Sequence, residues 1–115
     1  MAEARAVSRF VPTSPRKARL VVDLIRSQSV DKALSVLHFS PKHVSRTIEK
    51  TLRSAVSNLA NLEDVGRVEP NEIFIKEAFV NGGPMAKRIQ PAPQGRAYRV
   101  RKRSHHLTIV VATKD

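Results

Sequence analysis

An uninterrupted basic stretch from residue 82 to residue 103 most constrains this chain, because it is rich in Gly and Pro and contains no acidic residue. Apolar runs at 73–80 and 107–112 flank it and have the β-branched composition of strands. If the two runs pair antiparallel, the midpoints of 80 with 107 and of 73 with 112 lie at about 93 and 92. We therefore predict an extended β-hairpin over about 81–103 that folds back near Pro91-Ala92-Pro93.

Such a hairpin has too little apolar surface to be stable on its own in water, where isolated two-stranded hairpins are marginal at best. At roughly 3.3 Å per residue, one arm would reach on the order of 40 Å from the body. All the charges of the hairpin are positive, so we expect a polyanion to surround and stabilise it.

The distribution of charge supports this interpretation. The net charge is +11, from 21 Lys and Arg against 10 Asp and Glu. Residues 1–19 carry five bases and one acid, residues 20–77 carry eight of each, and residues 78–115 carry eight bases and one acid. A neutral middle with two basic ends is typical of a polyphosphate binder. The alternative, a solubilising surface charge, is usually mixed in sign.

Length and composition predict one domain over residues 1–115, with a globular body at about 1–80 and 104–115. The absence of cysteine excludes disulfides and thiolate metal sites and permits a reducing compartment. The N-terminus has no apolar secretory segment. The longest uncharged apolar run is far too short to cross a bilayer, so no membrane partner is expected.

The body is predicted to be an α+β fold in which a three-stranded antiparallel sheet packs against three helices. The first strand covers residues 4–11, and the flanking runs of the hairpin supply the other two strands. A loose alternation places Arg5, Val7, Arg9 and Val11 on one face of the first strand and Ala4, Ala6, Ser8 and Phe10 on the other.

Three helices are predicted between the first and second strands. Ser14-Pro15 and Ser40-Pro41 are cap-plus-proline start signals for the first and third helices, and the second follows Ser29. The third helix is predicted to end at about Leu62 and to belong to the core rather than to a site. Residues 63–70 would connect it to the sheet. The apolar stripes at helical spacing are Ala18, Val21, Val22 and Ile25; Val30, Ala33, Leu34 and Leu37; and Val44, Ile48, Leu52, Ala55, Val56, Leu59 and Leu62.

Three cations, Arg16, Lys17 and Arg19, lie in the first turns of the first helix, where the helix dipole disfavours positive charge. A local conflict of this kind often marks function. We favour a phosphate contact made by these cations and the helix N–H groups. A solvated basic turn is the alternative.

No catalytic or metal-binding arrangement is visible, so we predict neither an enzyme nor a cofactor. His38, His43, His105 and His106 are the candidate metal ligands, but no acidic partner lies at ligand spacing. Adjacent strand residues point to opposite faces, so His105 and His106 do not readily share a metal ion. Tyr98, between Arg96 and Arg99, either stacks on a base or packs across the arms of the hairpin.

Two motifs resemble the bacterial large-ribosomal-subunit protein L-twenty-two family. The first is Gly83-Pro-Met-Ala-Lys-Arg-Ile-Gln-Pro91 followed by residues 95–111, Gly-Arg-Ala-Tyr-Arg-Val-Arg-Lys-Arg-Ser-His-His-Leu-Thr-Ile-Val-Val. The second is Thr13-Ser-Pro-Arg-Lys-Ala-Arg-Leu-Val-Val22. The likeness covers essentially the whole chain. Two departures are Ala92-Pro93, where the family usually has Arg-Ala, and His105, where it has a small hydroxyl residue.

The resemblance implies a small body near the exit of the nascent-chain tunnel of the large subunit, with a hairpin that penetrates the subunit and lines the tunnel. His106 matches the strand histidine of the family. The implied tip is Met85, Ala86, Lys87, Arg88, Ile89, Gln90, Pro91, Ala92, Pro93 and Gln94. The candidate RNA-binding residues are Arg5, Arg9, Ser14, Arg16, Lys17, Arg19, Arg96, Arg99, Arg101, Lys102 and Arg103.

The function predicted from the residues and the resemblance together is that of a cytoplasmic structural constituent of the large subunit. Its expected partners are large-subunit ribosomal RNA, neighbouring ribosomal proteins and the passing nascent polypeptide, and no homo-oligomer is expected. The alternative is a free basic RNA- or DNA-binding chaperone or architectural protein.

Overall fold

The computed structural model describes residues 3–61, 70–84, 86–91 and 97–113, with the backbone alone for the segments 86–91 and 97–102. Within these ranges the elements are β1 (Glu3–Val11), α1 (Pro15–Ile25), α2 (Val30–His38), α3 (Val44–Ala60), a 3-10 turn (Pro70–Glu72), β2 (Ile73–Gly82), β3 (Ala86–Pro91), β4 (Ala97–Lys102) and β5 (His105–Thr113). The predicted connection at 63–69 and the predicted end of the third helix at Leu62 lie outside the described residues.

The body contains the predicted antiparallel sheet, in the order β1-β5-β2. Val80 pairs with Leu107, as the midpoint argument predicted. At the far end Ile73 pairs with Thr113 rather than with Ala112. A bulge between Ile75 and Glu77 adds one residue to β2, so Ile73 lies one position short of the partner that an unbroken ladder from Val80–Leu107 would give it. The prediction was therefore correct near the hairpin and wrong by one residue beyond the bulge.

All three helices pack on one face of this sheet, and the predicted apolar stripes form the core. Alternate residues of the strands meet them, so that Ile75, Leu107, Ile109 and Val111 are fully buried. The buried helix residues are Ala18, Val21, Val22, Ile25, Val30, Ala33, Leu37, Val44, Ile48, Leu52, Ala55 and Leu59, with Leu34 and Val56 partly buried beside them. The predicted α+β class is confirmed.

The start signals of the helices hold for α1 but not for α3. The Ser14 hydroxyl accepts a hydrogen bond from the Lys17 N–H at 3.4 Å, and Pro15 is the first helical residue. The third helix begins at Val44 rather than after Ser40-Pro41, because a turn comes first. In that turn the Ser45 N–H bonds to the Lys42 carbonyl at 3.2 Å, and the Ser40 hydroxyl accepts from the Lys42 N–H and from the Ser45 hydroxyl.

The predicted faces of β1 are correct up to Arg9 and reversed for Phe10 and Val11. Ser8 pairs with Leu107 but Val11 pairs with His105, so β1 contains one extra residue. The extra residue is accommodated at Phe10, whose φ of 57° lies in the left-handed region. As a result Val11 is buried, whereas the Phe10 side chain is 63% exposed.

The hairpin forms a separate two-stranded antiparallel ladder, which we call the finger. It runs from the pair Ala86–Lys102 to the pair Pro91–Ala97, so its register is centred on residue 94. Pro91 therefore belongs to an arm and not to the predicted fold-back, while residues 92–96 lie outside the described part of the chain. The protein is 64 Å long but only 26 and 16 Å across, as expected for a body with a projecting finger.

We expect the substitution Leu52→Ala to lower the free energy of unfolding by about 2–5 kcal/mol, because Leu52 is fully buried and its truncation leaves a cavity in the core. Leu20→Ala is the matched control, since Leu20 lies on the outer face of α1 and is 55% exposed. Urea unfolding followed by circular dichroism measures both variants. Equal losses of stability would contradict the assignment of the core.

Candidate nucleic-acid interface

The sheet topology brings the two basic ends of the chain to the same end of the body. The C-terminal ends of β1 and β2 both lie beside the start of β5, since Val11 and Gly82 each pair with His105. The finger and the N-terminus of α1 therefore emerge together. We call this end of the body the root.

A cleft of about 240 Å³ at the root joins the predicted basic segments. It is lined by Pro15 of α1, by Gly82 and Gly83 before the finger, and by Arg103 and Ser104 after it. Arg16 and Lys17, in the first turn of α1, and Arg103 are all exposed. Pro15 and Arg103, about 90 positions apart in sequence, thus line one cleft at a helix N-terminus, with Arg16 and Lys17 exposed in the same helical turn as Pro15. Such an environment is suitable for phosphate.

Close backbone contact holds the finger to the root. The Gly83 N–H donates to the Ser104 carbonyl at 3.0 Å, and the Ser104 hydroxyl donates to the Pro84 carbonyl at 2.6 Å. A Cβ atom on Gly83 would lie 2.7 Å from the Ser104 Oγ and 3.3 Å from its carbonyl carbon. Glycine at this position lets the two arms approach closely enough to form both bonds.

His105, a candidate metal ligand in the sequence and a departure from the family pattern, is a structural residue at the root. Its side chain is fully buried, and its Nδ1 lies 2.9 Å from the carbonyl oxygen and 3.1 Å from the Oγ1 of Thr13. A carbonyl only accepts, so Nδ1 carries the proton. Among the described residues, Nε2 is buried without a hydrogen-bond partner. The bond to Thr13 holds the start of α1 against the base of the finger.

His106 points to the opposite face, as the alternation of a strand requires. Its Nδ1 accepts a hydrogen bond from the Phe10 N–H at 3.1 Å. The Phe10 ring packs edge-on against the imidazole, with ring centroids 4.9 Å apart. The two histidines therefore fasten the β1–α1 corner to β5 from both faces of the sheet. In the part of the chain that is described, no three His, Asp or Glu residues are grouped to hold a metal ion.

Four of the predicted RNA-binding cations of the body are available for a ligand. The side chains of Arg5, Arg9, Arg16 and Lys17 are exposed, and none makes an ion pair or a side-chain hydrogen bond within the described ranges. Arg9 lies towards the root end of β1. An acidic residue, Glu3, lies at the other end and forms an ion pair with Lys76 at 2.9 Å. That carboxylate raises the pKa of Lys76 above its ordinary value.

Arg19 differs from these four cations, because its side chain bonds to β2 and stabilises the fold. Its Nε and Nη2 donate to the Val80 carbonyl at 3.3 and 3.0 Å. About two helical turns later, Arg26 donates from its Nε and Nη2 to the Ala78 carbonyl at 3.2 and 2.8 Å. It also forms an ion pair with Asp23. Since β2 is an edge strand, these guanidinium groups satisfy carbonyls that would otherwise lack partners. Sequence reasoning missed Arg26, and the seven-residue spacing of the two arginines was the only available signal.

The remaining predicted site residues are placed in part or not at all. Met85, Ala92, Pro93, Gln94 and Arg96 lie outside the described residues. The backbone of Ala86 to Pro91 lies in the outgoing arm, and that of Arg99, Arg101 and Lys102 lies in the returning arm. The proposed roles of their side chains, and the two interpretations of Tyr98, remain predictions.

The fold and this surface together define a class of protein. A small α+β body with an electrically neutral middle segment and unpaired cations at the root of an acid-free β-finger is typical of proteins built into ribonucleoprotein particles, where nucleic acid supplies the neutralising charge. No helix in the described ranges has the length and apolar character needed to cross a membrane.

The chain belongs to the family described as ribosomal protein L22p/L17e, whose sequence model matches residues 6–112. It is 54% identical over 109 residues to the large ribosomal subunit protein uL22 of Chlorobaculum tepidum, covering 95% of this chain and 92% of that protein. The uL22 of Flavobacterium johnsoniae is 55% identical over 100 residues, covering 87% and 73% respectively. The resemblance inferred from the motifs is confirmed, and the chain is by family a structural protein rather than an enzyme.

Two arginines of α1 provide a test of these assignments. We expect Arg19→Gln to lower the free energy of unfolding by about 1–2 kcal/mol, because it removes two charge-assisted hydrogen bonds to the Val80 carbonyl. Arg16→Gln removes an exposed, unpaired cation from the same helix and should change stability by less than about 0.5 kcal/mol. Urea unfolding of both variants measures the difference. A loss for Arg16→Gln as large as that for Arg19→Gln would refute the division of roles.

Proposed function

We propose that this chain is a constituent of the large ribosomal subunit that binds the ribosomal RNA of that subunit and aids its assembly. The observation that carries the proposal is the root cleft, which is lined by Arg103 and by Pro15, the residue before the exposed Arg16 and Lys17, at the base of a finger whose arms contain no acid. Family membership and the name shared by the relatives support the subunit assignment.

The mechanism follows from this distribution of charge. Cations at the root and along the arms displace counterions from phosphate groups and allow RNA segments to approach one another. Arginine suits this role because its guanidinium can bridge phosphate oxygens with two parallel hydrogen bonds. The finger in turn gains from RNA the support that a two-stranded ladder lacks in water.

The tip, residues 85–94, is proposed to line the nascent-polypeptide tunnel. The support is the resemblance of Gly83–Pro91 to the finger of the family and the shape of the molecule, 64 Å long against 26 and 16 Å across, which fits a finger that projects from the body. A free basic RNA- or DNA-binding chaperone is the second candidate, and the net charge of +11 is equally compatible with it. Density-gradient sedimentation at moderate salt separates the two: persistent association with large subunits supports the first, and a mainly free pool would refute it.

Charge reversal in the returning arm tests the RNA-binding role of the finger. We expect Arg99→Glu with Arg101→Glu to reduce incorporation into large subunits at least tenfold, because phosphate contacts become repulsive. Lys32→Glu with Lys42→Glu makes the same change of charge at exposed sites on α2 and before α3. Incorporation is measured by quantitative mass spectrometry of gradient fractions. If both double variants assemble equally well, the arginines of the finger are not RNA contacts.

Removal of the tip tests the independence of body and finger. Deletion of residues 85–88 should shift the melting temperature of the isolated chain by less than about 2 °C, because the buried core lies in the three-stranded sheet and the helices. Thermal unfolding followed by circular dichroism measures this. A large fall in melting temperature would show that the finger contributes to the folding of the body.

A further inference from the structure

A second concave surface lies between β1 and α3, and we call it the lateral groove. Its volume is about 490 Å³. None of its lining residues borders the root cleft. One wall is formed by residues 6–11 of β1 and by Pro12, and the other by Thr47, Lys50, Thr51 and Ser54 of α3.

The two walls are held in a defined register. The Ser8 and Thr51 hydroxyls are hydrogen-bonded at 2.6 Å, and the Thr51 hydroxyl also donates to the Thr47 carbonyl at 2.9 Å. Thr51 is only 3% exposed, so this pair forms a fixed polar floor. Further along, the Asn58 amide donates to the Arg5 carbonyl at 3.0 Å. The helix therefore runs antiparallel beside the outer edge of β1.

The polar side chains that line the lateral groove in the described part of the chain are cations and hydroxyls only. Two cations, Arg9 and Lys50, border the groove, both are exposed, and neither has an ionic partner among the described residues. The rest of the polar lining is hydroxyl, from Ser8, Thr47, Thr51 and Ser54, and the lining contains no carboxylate. Cations and hydroxyl donors without an acid are the groups that proteins present to phosphate oxygens.

We propose that the lateral groove binds phosphate groups of the RNA backbone, with Lys50 and Arg9 as the cationic contacts and the Thr47 and Ser54 hydroxyls as donors. The proposal rests on the RNA-binding function proposed above and adds the polar face of α3, a helix that the sequence assigned to the core rather than to a site. It gives the body an RNA contact outside the root.

A strand of another protein is the competing occupant, because β1 is an edge strand of the sheet. Two features of the edge argue against it. The Arg5 carbonyl, which faces outward, is already bonded to Asn58. Further along, the bulge at Phe10, with its φ of 57°, breaks the regular alternation of edge donors and acceptors that an added strand requires. The free edge between these points is too short for a ladder.

The test is the salt dependence of binding between the full chain and large-subunit ribosomal RNA. Lys50→Gln should reduce the slope of log K against log salt by about 0.7–0.9, the amount expected for one lost phosphate contact. Lys32→Gln removes the same charge from an exposed site on α2 that does not line the groove, and should leave the slope unchanged. Thr47→Val, which keeps the shape and removes the hydroxyl, should weaken binding severalfold at constant slope.

Identical slopes for Lys50→Gln and Lys32→Gln would overturn the lateral groove as a phosphate site. In that case a loss of binding by Arg99→Glu with Arg101→Glu would leave the proposed RNA-binding function standing. If the unmodified chain shows no salt-dependent RNA binding, both proposals fall. A photo-crosslinking residue at position 54 in assembled subunits identifies the occupant directly: crosslinks to RNA are expected, and crosslinks only to protein would establish strand addition instead.

Discussion

The antiparallel pairing of β2 with β5 is the interaction on which the rest of this structure depends. It runs from the pair Ile73–Thr113 to the pair Gly82–His105 and buries the apolar residues that α1 and α3 cover. The same pairing sets the direction of the finger, because the arms leave the body where these strands stop. It also makes β5 the central strand, which leaves β1 and β2 as edges with separate means of protection.

The two edges differ in how they use positive charge. Along β2, Arg19 and Arg26 satisfy outward carbonyls, and the Ile75 N–H donates to the Gln28 carbonyl at 2.9 Å. Cations on this edge therefore contribute to folding. Along β1, Arg5 and Arg9 remain unpaired among the described residues and face solvent. Some of the basic residues of this protein thus stabilise the native state, and others are left for a ligand. Sequence composition does not distinguish the two groups.

Periodicity predicted most of the fold because each helix and strand buries one continuous face. The stripes of α1 and α2 were correct, and the pairing of Val80 with Leu107 followed from the symmetry of a hairpin. The faces of β1 were wrong where one residue is inserted into its ladder, and the partner of Ile73 was wrong by one position beyond the bulge in β2. The bulge in β1 exchanges the faces of the residues at its end, and the bulge in β2 shifts its register with β5. A bulge depends on how the strand must bend to pack on the helices rather than on local composition.

The late start of α3 has a comparable cause. Ser40 and Pro41 are suitable residues for a helix start, but the Ser40 hydroxyl caps a preceding turn, through its bonds with Lys42 and Ser45. The signal correctly marked a hydrogen-bonding hydroxyl, and tertiary packing decided which turn it serves. Boundaries of this kind are the least determined part of any sequence-based assignment.

The sequence by itself determined the separation of a neutral body from basic ends, the α+β class and membership of the ribosomal protein family, because charge order, apolar period and motif are properties of neighbouring residues. Only the tertiary structure decided which cations are free, that Arg103 and α1 border one cleft, and that His105 anchors Thr13 across 92 positions of sequence. Those contacts form when the packing of the core and the register of the sheet bring together residues that are distant in sequence. A local sequence pattern does not show which distant residues will meet.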